Sequence, residues 1–80
     1  MIARPKLPAN LDSLLRSQLE KAIFEAALHR DDALIAQRYL VEKIPQIEIA
    51  VELGWERSTV SRRLKAIIPR VEWAATQIST

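Results

Sequence analysis

The chain has 80 residues, no cysteine and one histidine, with 12 basic and 10 acidic side chains for a net charge of +2. These totals exclude disulfide staples and thiolate metal sites, and His29 cannot build a metal site alone. No apolar run approaches membrane-span length and the start lacks a signal-peptide pattern, so no membrane role and a cytoplasmic location are expected.

A chain this short buries only about 60% of the surface its unfolded form exposes. Its core is thin, and helix packing is the remaining route to stability. Charge placement says more than charge total. Residues 1–43 carry seven basic and six acidic side chains, close to balance. Residues 44–80 carry five and four, but there the signs separate. Glu48, Glu52 and Glu56 come first; Arg57, Arg62, Arg63, Lys65 and Arg70 follow with no acid between them. A basic face on a near-neutral protein is a nucleic-acid footprint.

Residues 1–9, MIARPKLPA, hold two prolines and the basic pair Arg4 and Lys6. They read as a flexible arm, and a frayed end is favoured over a minor-groove contact. Residues 10–80 read as one helical domain. Asn10 is a good N-cap for a first helix ending near His29, whose charge suits a helix C-terminus. Leu11, Leu14, Leu15, Leu19, Ala22, Ile23 and Ala26 form its apolar stripe, widened by Phe24 and Leu28. The stripe is long for so small a domain, so pairing with a second copy is one expectation for it.

Asp31 and Asp32 suit the start of a second helix, Ala33 to Glu42, with Leu34, Ile35, Tyr39 and Leu40 inward. Pro45 fits the first position of a third helix, whose apolar side is Ile47, Ile49, Ala50 and Leu53. A fourth helix runs from Arg57 to Ile67. Pro69 is expected to stop it and to start a short fifth helix through Val71, Trp73, Ala74 and Ile78. No stretch alternates as a strand would. The fold class is all-α, a small bundle of four to five helices.

The only glycine, Gly54, separates the third and fourth helices. A tight turn there needs a left-handed residue, which glycine adopts without the penalty of a Cβ. Ala50 is small where the helices approach, Val60 and Leu64 point back at Ile49 and Leu53, and Trp55 plugs the turn. These offsets predict a helix-turn-helix over 46–65. With Val60, Leu64 and Ile67 inward, Ser58, Ser61, Arg62 and Lys65 face outward, flanked by Thr59 and Arg63. Hydroxyls and cations of this kind bond phosphates and base edges, and arginine grips guanine with two hydrogen bonds.

QIEIAVELGWERSTVSRRLK, from Gln46 to Lys65, resembles the helix-turn-helix of bacterial transcription regulators. The wider stretch from Asp32, DALIAQRYLVEKIPQIEIAVELGWERSTVSRRL, is similar to region 4 of sigma-70 family factors, which reads the promoter −35 element. The likeness implies a stand-alone region-4-like regulator, since nothing resembles the segments that melt promoters or hold the polymerase core. Its DNA-contacting positions fall on Arg57, Ser58, Thr59, Ser61, Arg62 and Lys65. Glu56 stands where such motifs place a serine or threonine cap.

The expected function is sequence-specific binding of double-stranded DNA to regulate transcription, with residues 57–67 in the major groove. Arg57, Ser58, Thr59, Arg62 and Lys65 read and anchor, while Arg63 and Arg70 bind phosphates. The rival is a protein-interaction module that binds RNA polymerase or another regulator through the leucine stripe or the Trp73 tail, with incidental DNA contact. No nucleophile with a base, paired carboxylates or glycine-rich phosphate loop is present, so no catalysis, small-molecule substrate, metal or cofactor is expected.

Overall fold

A computed structural model of the chain describes residue 11 and residues 14–78. Among the described residues four α-helices are defined: α1 (Arg16–Glu25), α2 (Arg30–Ala36), α3 (Gln46–Leu53) and α4 (Arg57–Ile78). α2 runs straight into a π-helical turn, Gln37–Val41. No strand occurs among the described residues. The 1–9 arm and the Asn10 cap lie outside them. α4 is the hub, packing on α1, α2 and α3, most extensively on α1.

The helix predicted to run from Asn10 to near His29 is interrupted: Leu11 is helical, but the chain bends at Leu14. Leu15 is extended, with ψ of 159°, and its N–H donates to Gln18 Oε1 at 2.9 Å, so α1 starts only at Arg16. It ends at Ala26 because Ala27 takes a left-handed φ of 53°. That reversal sends Leu28 back onto the core. His29 is therefore not at a helix C-terminus; it is the extended residue that precedes α2. Leu11, Leu19, Ala22, Ile23 and Ala26 are buried as expected. Phe24 is not part of the stripe: it is 81% exposed. It follows Ile23 by one step of about 100°, which carries it past the edge of the buried face.

α2 begins three residues before the expected Ala33, with Asp31 and Asp32 in its first turn, where the helix dipole favours them. Ile35, Tyr39 and Leu40 are buried and Leu34 partly so. Tyr39, Leu40 and Val41 are buried in succession. Three consecutive residues span about 200° of an ordinary α-helix, too wide for one face. The π turn gathers them, closed by Glu42 N–H donating to Gln37 O at 3.0 Å. Lys43, at φ 61°, then ends the segment in the left-handed region.

Pro45 precedes the first residue of α3 rather than occupying it, and its carbonyl accepts from Glu48 and Ile49. Ile49 and Ala50 are buried, and Leu53 packs against the core. Ile47, expected inward, is 58% exposed. It lies about 200° from Ile49 around the helix, so a helix this short cannot bury both.

The expected fourth and fifth helices are one. Pro69 lies inside the 22 residues of α4. A mid-helix proline costs about 3 kcal/mol through its missing N–H and a clash with the carbonyl four residues back. That carbonyl belongs to Lys65, and both Lys65 and Pro69 are exposed, so water can solvate the freed group. Meanwhile Val60, Leu64, Ile67, Val71, Ala74 and Ala75 are all buried on one stripe that continues through the proline. Burying Val71 alone contributes about 2 kcal/mol, which offsets most of the cost.

Candidate nucleic-acid interface

The site is built on the Gly54 turn. Gly54 has φ 72° and ψ 29°, the left-handed conformation the sequence predicts. Its N–H donates to Val51 O at 3.2 Å, and Trp55 N–H donates to Ala50 O at 2.9 Å. This pair of bonds is a Schellman closure, which satisfies two carbonyls that α3 would otherwise leave open. Trp55 is half-buried and packs on the core beneath the turn. α4 then starts at Arg57, with Glu56 O accepting from Thr59 and Val60.

Burial sets the orientation of α4. Val60, Leu64 and Ile67 are buried, so Arg57, Ser58, Arg62 and Lys65 stand exposed to solvent. Thr59 and Ser61 are only partly exposed. Arg57, Arg62 and Lys65 have no ion-pair partner among the described residues. The first acid after Glu56 is Glu72, so phosphate meets little repulsion along this stretch. Glu56 itself accepts only a long 3.5 Å contact from the Ser58 hydroxyl and leaves a negative charge at the helix start.

Arg63 and Arg70 are placed differently. Seven residues apart, they share one flank of α4, and both bond to other parts of the fold. Arg63 Nε donates to Asp32 Oδ1 at 2.8 Å. Arg70 Nη2 donates to the carbonyl of Ala26, the end of α1, at 3.2 Å. Together they hold the α1–α2 connection on either side of its left-handed Ala27. The Arg70 bond also supplies a partner and a positive charge to a helix C-terminus. Charge counting in the sequence treats all five cations alike, and the structure separates three outward ones from two that brace the fold.

A third brace positions α3. Arg38, in the π turn, holds Glu52 by two nitrogens, Nε to Oε1 at 3.1 Å and Nη2 to Oε2 at 3.0 Å, and Glu42 by Nη1 at 2.8 Å. The hydrogen bonds from Arg38 lower the Glu52 pKa from its ordinary value, and those to Glu52 and Glu42 raise that of Arg38. Asp32 is legible in the sequence only as a helix-start acid and Arg38 not at all, because their partners lie 31 and 14 residues away. Among the described residues no group of histidine or acidic side chains is arranged to hold a metal ion, and no helix is long and apolar enough to cross a membrane.

Comparison with models of protein families, with curated proteins and with solved structures finds no match to this chain.

Proposed function

We propose that the protein binds double-stranded DNA and regulates transcription, with the N-terminal half of α4 in the major groove. The observation that carries this reading is the set of three cations, Arg57, Arg62 and Lys65, exposed without internal partners on the helix that follows the Gly54 turn. The turn presents α4 as a second helix at the surface, the arrangement in which a helix-turn-helix docks. Arg62 and Lys65 reach base edges or phosphates, Ser58 adds a hydroxyl, and Arg57 meets the backbone near the helix N-terminus, where anions are favoured. Arg63 and Arg70 act as braces first. The sequence resemblance to sigma region 4 agrees with this reading, and a promoter-like target follows from it.

Fluorescence anisotropy on random and promoter-like duplexes across a salt series tests it. Three phosphate contacts give a log–log salt slope near about −3. Binding of that steepness supports the reading, and a preference for the promoter-like duplex supports the sigma likeness. No binding at low salt would falsify it.

A further inference from the structure

Four aromatic side chains occur in the chain. Tyr39 is buried and Trp55 packs against the core. The other two, Phe24 and Trp73, are 81% and 63% exposed. Each lines its own groove, and both grooves border α1. Lys21 and Glu25 of α1 line one of them with Trp73 and Ile78 of α4. Phe24 lines the other with Ile23, Leu28 and Ala33. Exposed aromatics beside grooves are the kind of anchor that dominates protein interfaces.

The charges on this surface identify the occupant. Lys21 and Glu25 lie one helical turn apart on α1, and neither has an ion-pair partner among the described residues. Two copies of α1 laid antiparallel about a two-fold axis at the level of Ile23 bring each Lys21 opposite the Glu25 of the other copy. The surface is thus complementary to itself, as a two-fold contact requires. The exposed Ile47 and Val51 on α3 stand beside Glu48 on a helix with no basic residue, so a two-fold contact of α3 on α3 brings no opposite charges together.

We infer that the protein pairs with a second copy of itself through α1 and the end of α4, with Phe24 and Trp73 as anchors and Lys21–Glu25 pairs across the axis. The contact leaves Arg57, Arg62 and Lys65 outside it. A stable contact of this kind needs about 600 Å² per partner, against a total accessible surface of 5491 Å². The inference does not rest on the DNA reading.

Sedimentation equilibrium of the full chain without DNA tests it, with thermal melts confirming that each variant folds. The expected result is a reversible dimer whose dissociation constant rises at least about tenfold, or about 1.4 kcal/mol, in Trp73→Ser and in Phe24→Ser. Lys21→Glu and Glu25→Lys each weaken it severalfold, and the two reversals together restore it. A monomer at every soluble concentration overturns the proposal, as does a dimer indifferent to all four changes. Sensitivity to the aromatic changes without rescue by the double reversal overturns the antiparallel arrangement. None of these failures touches the salt-dependent DNA binding, which is measured separately.

Discussion

Nε of Arg63 stands 2.8 Å from Oδ1 of Asp32, joining residues 31 apart in the chain. The bond fastens the start of α2 to the flank of α4, one helical step from the outward face that carries Arg62. Asp32 is mostly covered, with 14% of its side chain exposed, while Arg63 is nearly half exposed. Such a pair is worth about 0.5–1 kcal/mol. Arg63→Ala and Asp32→Ala are each expected to lower the melting temperature by a few degrees, and the double variant by less than the sum. A double-mutant cycle in chemical denaturation checks the coupling.

DNA binding separates the cations along the same line. Arg62→Ala combined with Lys65→Ala reduces the magnitude of the salt slope by about two and leaves the melting temperature unchanged. Arg63→Ala lowers stability and leaves the slope within error of the parent. Equal loss of slope from Arg63 and Arg62 would show that Arg63 leaves Asp32 for phosphate on binding.

Stability falls in acid partly through Glu52. Its pKa is lowered on folding by the hydrogen bonds from Arg38. A carboxylate depressed in this way adds stability that is fully present above its ordinary unfolded value, near about 4.3. That contribution is lost as pH falls through the folded value. Glu52→Gln is expected to flatten the acid side of the stability curve and to leave a smaller difference from the parent at low pH than at neutrality. Denaturant melts from neutrality down to strong acid check both signs.

The left-handed residues respond in opposite directions. Gly54→Ala costs about 1 kcal/mol through φ alone, because a Cβ there meets no atom within 4 Å. Ala27→Gly and Lys43→Gly, at φ of 53° and 61°, relieve a similar penalty and are expected to stabilise by a few tenths to about 1 kcal/mol. Shifts in denaturation midpoint read all three.

Pro69→Ala restores an N–H that can donate to Lys65 O inside α4. Pro69 is exposed, so no core contact is lost. The change is expected to raise stability by about 1–3 kcal/mol. Slower amide exchange around residues 65–70 locates the gain.

Three features are legible in the residues alone: the chain is helical, the break between α3 and α4 falls at Gly54, and Val60, Leu64 and Ile67 face inward. Each follows from local chemistry: side-chain periodicity, and a glycine freed from the Cβ penalty. The other turns carry no such signal. Ala27 and Lys43 accept left-handed conformations that their residue types disfavour, so α1 ends before the expected His29. That α4 runs through Pro69 is settled by packing, because burial of Val71, Ala74 and Ala75 outweighs a local preference to stop. The tertiary structure also decides which arginines remain outward. Arg62 and Arg63 are neighbours of one type, and a single step of about 100° puts one in solvent and the other against Asp32. That distinction depends on where α2 lies, which charge and periodicity within α4 do not encode.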